Sequence, residues 1–274
     1  MPVSELLVEG KLDAELINAV LRGSPLVTRG GSKTSLKPKV AEKRKHALAV
    51  AVAYIRDRDF DLEPPADRSR PAVHSTAPDS TVLGWHWCRH EMENYLLEPA
   101  LVARATGADE AGYRAALLEA SDRLQHYQAA RGAIGIIRRN LPPSFDFHTR
   151  PDDIPDDPPR VPSDLGAGAM LAWVCGHAQR FHDRACPELA PDAVERHVGA
   201  RHALLSAQVL GSVDEVLVWF SGKDLLAALE PWRDAHGLGY AGDLRTKLRD
   251  WFLADANEAL ALLPEWQAFV AMVR

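Results

Sequence analysis

The chain has 274 residues, of which 46% are hydrophobic, so it is long enough to bury a substantial core. Its net charge of −6 excludes a uniformly basic protein, and its three cysteines exclude the paired framework of a small disulfide-rich domain. The first residues lack the basic-then-apolar pattern of a signal peptide, and no apolar run reaches the ~18 residues of a membrane span. We therefore expect a cytoplasmic protein.

The first part of the chain alternates between short apolar segments and helical patterns. The apolar segments are typical of buried strands, and the stretches between them have apolar residues at helical spacing or a basic, helix-like composition. This rhythm predicts an α/β fold with a parallel sheet flanked by helices. The predicted order is a strand at 5–9, a helix at 11–21, a strand at 25–28, a basic helix at 35–46 and a strand at 47–55.

Beyond residue 60 the patterns are mostly helical. Loops rich in Pro and Asp are predicted at 61–80 and 141–163, and strands at 81–88 and 214–220. Helices are expected at 91–98, 99–106, 109–139, 165–186, 190–209, 224–232 and 241–273.

These elements predict three regions. The first is a sheet-containing core at 1–99, and the second is a large, mostly helical insertion at 100–210. The third, at 211–274, holds a returning strand with a Gly-Lys turn and the C-terminal helices.

Charged residues follow the predicted strands. Glu9 follows the first strand, Asp57 and Asp59 follow the third, and Lys223 follows the returning strand. In open α/β sheets, sites form just beyond the carboxyl ends of the strands. These side chains would therefore meet at one edge if the strands are parallel neighbours, and the order of the strands is left open.

The acids are of the type that Mg²⁺ or Mn²⁺ binds. Mg²⁺ takes oxygen ligands and usually one or two carboxylates, together with water and substrate phosphates. Asp57 and Asp59 would lie on one side of an extended chain, and Asp13 would lie in the first turn of the helix after Glu9. Two such ions could clamp the attacking and leaving oxygens of a phosphodiester. Taken singly, Asp59 could also be a turn residue and Asp13 a helix N-terminal acid.

The segment 11–45 is strongly basic, with nine Lys or Arg residues against three acids. A basic stretch beside an acidic cluster would allow a protein to hold both a polyanion and its metal ions. The alternative is a solvated helix face without a ligand. The residues expected to contact nucleic acid are Lys11, Arg29, Lys33 and Lys37, with Arg89 as a further phosphate contact or the partner of a nearby acid.

Several segments together resemble the toprim signature. Glu9-Gly10 and Asp57-Arg58-Asp59 resemble its Glu-Gly and Asp-x-Asp elements. The stretch 91–99, with Glu93-Asn94-Tyr95 at its centre, is similar to a segment of the toprim-like effectors of PARIS anti-phage systems, which are related to the toprim half of OLD-type nucleases. Gly222-Lys223 loosely resembles a late glycine-lysine motif in that group. The resemblance covers 5–99 well and 214–230 loosely.

The resemblance implies a metal-dependent nuclease that cuts RNA, with tRNA as one candidate, or DNA. It implies Glu9, Asp57 and Asp59 as metal ligands or base, with Asp13 supporting and either Glu91 or Glu93, preferably Glu93, completing the site. Lys223 would offset charge on the phosphate, or would be a solvated turn lysine.

The setting that the resemblance implies is bacterial anti-phage defence, with a separate ATPase sensor as partner, no membrane association and a homodimer as a further expectation. The alternative function is a non-catalytic toprim adaptor that binds nucleic acid in repair or recombination. A topoisomerase or primase fragment and a protein–protein module remain as further alternatives.

Overall fold

The structure, a computed structural model, describes residues 3–46, 51–140, 161–185 and 189–274. It contains one five-stranded sheet with the strand order β2-β1-β3-β5-β4. The pairs β1–β2, β1–β3 and β3–β5 are parallel, and β4 pairs antiparallel with β5. The expected α/β sheet, mostly parallel, is confirmed. The strands are β1 (Glu5–Val8), β2 (Leu26–Arg29), β3 (Val52–Arg56), β4 (Ala72–Thr76) and β5 (Val82–His86).

Helices occupy most of the remaining described chain. In order they are α1 (Lys11–Leu21), α2 (Lys33–His46), α3 (Glu93–Leu96), α4 (Pro99–Thr106), α5 (Glu110–Asn140), α6 (Ala167–Ala185), α7 (Pro191–Leu204), a π-helical turn (Leu205–Val209), α8 (Val213–Trp219), α9 (Gly222–Ala228), α10 (Glu230–Ala235), α11 (Ala241–Ala254), α12 (Ala256–Leu262) and α13 (Pro264–Val273). Within the described part of the chain, none of them has the length and apolar character needed to cross a bilayer.

The chain divides into two compact units. The sheet unit comprises Met1–Arg58, Pro64–Gly107 and Thr246–Arg274, and the helical unit comprises Asp59–Glu63 and Ala108–Arg245. The sheet unit is therefore completed by the last helices of the chain. Within it, the amide of Val3 donates a hydrogen bond to the carbonyl of Val273 at 3.0 Å.

The centre of the sheet unit is apolar because its middle strands are covered on both faces. Every residue of β3 is buried, as parallel strands inside an α/β fold require. On one face, Leu36 and Val40 of α2 pack with Leu7, Val52 and Tyr54. These contacts fix α2 over the sheet although most of its other residues are charged or polar.

The helical unit is organised around the long helix α5. Tyr113, Leu117 and Leu124 are fully buried along one face of this helix. Tyr113 also meets Trp232 of α10 edge to face, with the ring centroids 4.9 Å apart. The packing of one long helix against several shorter ones is the reason why this unit needs no strand among its described residues.

The predicted strand at 214–220 is wrong, because the segment forms helix α8. The run of Val and Leu suggested a strand, but Val213, Val216 and Leu217 are buried at helical spacing. Ser212 begins the helix, and its Oγ accepts a hydrogen bond from the amide of Glu215 at 3.4 Å.

The predicted loop at 61–80 is only partly correct, since it contains β4. This strand lies at the sheet edge and its register with β5 is irregular. A short edge strand needs few apolar residues, and the Pro and Asp residues around β4 gave the segment the composition of a loop. Most of the predicted loop at 141–163, namely 141–160, lies outside the described residues.

Candidate metal centre at the carboxyl edge of the sheet

Glu9 and Asp57 meet at the carboxyl ends of two adjacent parallel strands. Glu9 directly follows β1, Asp57 directly follows β3, and these strands are hydrogen-bonded neighbours. The Oε1 atom of Glu9 accepts a hydrogen bond from the amide of Asp57 at 3.2 Å. The structure thus brings together two residues that lie 48 positions apart in the sequence. The roles assigned to them from the sequence stay predictions.

Arg56 adds a positive charge to this edge. Its Nε lies 3.9 Å from Oε1 of Glu9, and both side chains are mostly buried, with exposed fractions of 8% and 21%. The same Nε donates to the carbonyl of Asp57 at 2.9 Å. The guanidinium therefore helps to hold the acidic side chain of Glu9 at the strand end, where burial alone would oppose its charge.

Asp13 is folded back over Gly10. The Asp13 side chain is buried, although it lies in the first turn of α1. A Cβ placed on Gly10 would approach the Oδ2 atom of Asp13 to 2.9 Å, which is closer than real contacts allow. The Glu-Gly pair therefore has a steric reason, because any larger residue at position 10 would displace the carboxylate of Asp13.

Asp59 lies where the chain leaves the sheet unit. Strand β3 ends at Arg56, and Asp59 has a positive φ of 50°, a left-handed conformation that Asp tolerates better than most residues. The extended chain that was expected to align Asp57 with Asp59 therefore ends before Asp59. Asp59 begins the segment Asp59–Glu63, which belongs to the helical unit.

Glu91 and Glu93 lie in the segment after β5, the parallel neighbour of β3. Both are buried, with exposed fractions of 4% and 5%. Glu93 is the first residue of α3, while Glu91 precedes it in a turn closed by two hydrogen bonds with Asn94. The segment thus supplies buried acids near a third strand end.

His90 is a candidate ligand that was not among the residues predicted from the sequence. It is buried, and its ring and the carboxylate of Glu91 each offer a ligand atom within 4.8 Å of the other. An imidazole beside a carboxylate suits Mn²⁺ and other transition metals, whereas Mg²⁺ would use the carboxylate alone. The adjacent His-Glu pair shortly after a strand is the signal that could have indicated it.

Glu265 anchors this segment from the far end of the chain. Its buried carboxylate accepts hydrogen bonds from the Tyr95 hydroxyl at 2.5 Å and from the Cys88 amide at 2.8 Å. Burial raises the pKa of Glu265, and the two hydrogen bonds act in the opposite direction. Burial likewise raises the pKa of the Cys88 thiol, so this cysteine is not a reactive thiolate.

Arg89 contacts other residues of the segment that follows β5. Its guanidinium donates to Oε2 of Glu98 at 2.5 Å and to the carbonyl of Asn94 at 3.0 Å, and it lies 5.1 Å from the centroid of the Tyr95 ring. The structure therefore gives Arg89 the acid partner that the sequence left open. A contact between Arg89 and phosphate stays a prediction.

The basic residues of 11–45 fall into two groups. The first group has internal partners: Lys39 donates to the carbonyl of Gly30, Lys43 to Glu5 at 2.5 Å, and Arg44 to the carbonyls of Val52 and Val82 at 2.6 and 2.8 Å. The second group faces solvent and includes Arg29, Lys37 and Lys11, the last beside Glu15 at 3.5 Å, while Lys33 is half-buried. The first group holds α2 on the sheet, and the second provides the positive surface.

Lys223 lies in the first turn of α9, in the helical unit. Ser221 caps this helix, and the side chain of Asp224 is completely buried. Asp224 accepts a hydrogen bond from Nε2 of Gln128 at 2.7 Å and pairs with Arg131 on α5. This network fixes the backbone on both sides of Lys223, although the helix is not preceded by the predicted strand.

The chain matches no protein-family model, and a search of the curated proteins found no match. The arrangement itself offers carboxylates at adjacent strand ends, a basic helix face on the same unit and a buried acidic segment after β5. Carboxylate oxygens of this type could hold Mg²⁺ or Mn²⁺, while the helix face could attract an anion.

Proposed function

We propose that this protein is a divalent-metal-dependent nuclease of the toprim type, which hydrolyses phosphodiester bonds in RNA, tRNA included, or in DNA. The observation that supports this most is the meeting of Glu9 and Asp57 at adjacent parallel strand ends, 3.2 Å apart from carboxylate oxygen to amide. Sites in open α/β sheets form at this edge.

The residues at this edge would hold Mg²⁺ or Mn²⁺. Glu9, Asp57 and Asp13 would supply the oxygen ligands, with Glu91 or Glu93 and His90 as further ligands. When bound, the metal would lower the pKa of a coordinated water and neutralise charge on the phosphate. Gly10 leaves room for the carboxylate of Asp13, and Arg56 keeps Glu9 at the strand end.

The exposed lysines of α2 would attract the nucleic acid. Lys37 is exposed on this helix, while the nearby Leu36 and Val40 hold the helix on the sheet. Such contacts with phosphates supply affinity without sequence preference, and they weaken steeply as salt rises.

The test is cleavage of tRNA, plasmid and single strands with Mn²⁺, with Mg²⁺ and with EDTA, using the wild type and Glu9→Gln. We expect metal-dependent cleavage by the wild type and a loss of about 100-fold or more in Glu9→Gln, since a metal ligand or base would be removed. Glu42→Gln on α2 is the control, because it makes the same charge change at an exposed position.

Equal cleavage by the wild type and Glu9→Gln would contradict the assignment of the site. Metal-independent binding of the same nucleic acids without cleavage would instead support an adaptor. Calorimetric titration with Mn²⁺ separates these results from a protein that binds no metal at all.

From the resemblance alone, we further propose that the protein is an effector of anti-phage defence, restrained by a separate ATPase. Coexpression with a candidate ATPase partner would test this. Toxicity of the wild type that the ATPase suppresses, and that Glu9→Gln lacks, is the expected result.

A further inference from the structure

Four basic side chains converge on the face of the sheet that α2 covers. Arg56 ends β3 and His86 ends β5, and the strand register places these two side by side. His74 of β4 meets the ring of His86 edge to face, with centroids 6.3 Å apart. Lys37 of α2 is close enough to act on the charge of His74. We call these residues the basic cluster.

The cluster is held by neutral partners. The Tyr54 hydroxyl lies 2.5 Å from Nδ1 of His74 and 2.7 Å from Oγ of Ser75. Nδ1 of His86 lies 3.0 Å from the carbonyl of Trp87, so this nitrogen carries the proton and donates it. In both imidazoles, Nδ1 is therefore engaged within the protein, and Nε2 is the nitrogen that can serve a ligand.

Burial and neighbouring positive charges both disfavour the protonated forms of His74 and His86. Burial is the main cause that lowers the pKa of His74, to about 4, and the groups that add to it are Arg56, His86 and Lys37. Burial also lowers the pKa of His86, and Arg58 and Arg56 act in the same direction. The neighbouring cations therefore disfavour protonation of both imidazoles, and an anion bound among them would have the opposite effect.

His197 in the helical unit also has positively charged neighbours, but there the neighbouring arginines pair with acids. Arg196 and Arg201 also lower the pKa of His197, after burial. There, however, Arg196 pairs with Asp192 at 2.8 Å and Arg201 with Glu63 at 2.6 Å. In the basic cluster, by contrast, Lys37 has no ion-pair partner among the described residues.

We propose that the basic cluster binds a phosphate group of a nucleic-acid strand. The ligand would enter between Lys37, which is exposed, and His74, which is half-buried, while Arg56 and His86 would contact it from the buried side. A phosphate accepts several hydrogen bonds from charged donors, which is the chemistry these side chains offer together. The inference rests on the proposed function only in taking a nucleic acid as the source of the phosphate.

The experiment follows the imidazole ¹⁵N signals by NMR in EDTA, so that metal binding and cleavage play no part. Inorganic phosphate is titrated first, and then a single-stranded oligonucleotide without terminal phosphates. We expect both probes to shift the signals of His74 and His86 saturably, and not those of His197. The signals are assigned from His74→Gln and His86→Gln.

His74→Gln should weaken binding of both probes by about tenfold, the loss of one charge-assisted hydrogen bond. The control, His197→Gln, should leave binding of both probes unchanged. If neither probe shifts His74 and His86 in the wild type, the cluster is not a phosphate site. If inorganic phosphate shifts them and the oligonucleotide does not, a strand as its ligand is contradicted.

Discussion

The hydroxyl of Tyr95 donates a 2.5 Å hydrogen bond to the carboxylate of Glu265, 170 residues away in the sequence. Both groups are buried, and the same carboxylate accepts the amide of Cys88. The segment that carries Glu91 and Glu93 is therefore fixed at its two sides by one residue of α13. Helix α13 thereby fixes the position of the segment that carries these two buried acids.

Glu265→Ala should lower the free energy of unfolding by about 2–4 kcal/mol, because it leaves a buried hydroxyl and a buried amide without an acceptor. Urea unfolding followed by fluorescence measures this loss. Glu258→Ala is the control: its pair with Arg104 at 3.3 Å is exposed, so its removal should cost less than about 1 kcal/mol. Equal losses in the two variants would show that Glu265 does not anchor the segment.

Gly10→Ala should weaken Mn²⁺ binding by about tenfold or more while changing stability little. The added methyl group would meet Oδ2 of Asp13 at 2.9 Å, and the carboxylate would have to turn away. Calorimetry gives the affinity. Gly199→Ala in α7, where nothing lies within 4 Å of the added atom, should keep Mn²⁺ binding intact and stabilise the helix by up to ~1 kcal/mol. Unchanged Mn²⁺ binding in Gly10→Ala would remove Asp13 from the ligands.

Lys37→Ala and Arg44→Met should separate affinity from stability. Lys37 is exposed, so its loss should lower the salt dependence of nucleic-acid binding by about one phosphate contact and leave unfolding unchanged. Arg44 donates to the carbonyls of Val52 and Val82, so its loss should cost about 1–3 kcal/mol of stability. Anisotropy at several salt concentrations and urea unfolding distinguish the two. A loss of stability in Lys37→Ala and none in Arg44→Met would contradict the division of the basic residues into a solvent-facing group and an internally bonded group.

Stability should fall as the pH is lowered from about 6.5 to about 4, in part because of His74. Burial lowers the pKa of His74 from its ordinary 6.5 to about 4, so in this range the unfolded chain takes up a proton that the folded protein does not. Since the imidazole is only half-buried, its share should be about 1–2 kcal/mol. Urea unfolding at both ends of the range measures it. His74→Gln should flatten the profile by this amount, and an unchanged slope would contradict it.

The sequence was sufficient to predict the positions of β1, β2, β3 and β5, because short apolar runs bounded by charges or turn residues are typical of buried strands. It also predicted that Glu9 and Asp57 follow strand ends. It did not specify that β1 and β3 are neighbours, which decides whether the two acids meet, because strand order depends on packing between distant segments. Helix α8 was missed because buried Val and Leu suit a strand and a helix equally, and only the Ser212 cap distinguishes them.

Glu265 could not have been found from local patterns. Its partners Tyr95 and Cys88 lie in another part of the sequence, and an acid in the first turn of a helix is usually there because it stabilises the helix dipole. Asn94, in contrast, exchanges two hydrogen bonds with Glu91, three residues away, so the turn around Glu91 was open to prediction.

The return of α13 to the first strand also bears on the order of synthesis. The amide of Val3 bonds to Val273, and Arg274 donates to the carbonyls of Val20 and Leu21 at 3.1 and 3.2 Å, so early and late translated residues share one unit. While a ribosome is still producing the helices between them, the segment that carries Glu91 and Glu93 exists without its anchor, Glu265. A nascent or prematurely terminated chain would therefore hold that segment without the hydrogen bonds from Tyr95 and Cys88 to Glu265, and these bonds would form only after translation has passed α13.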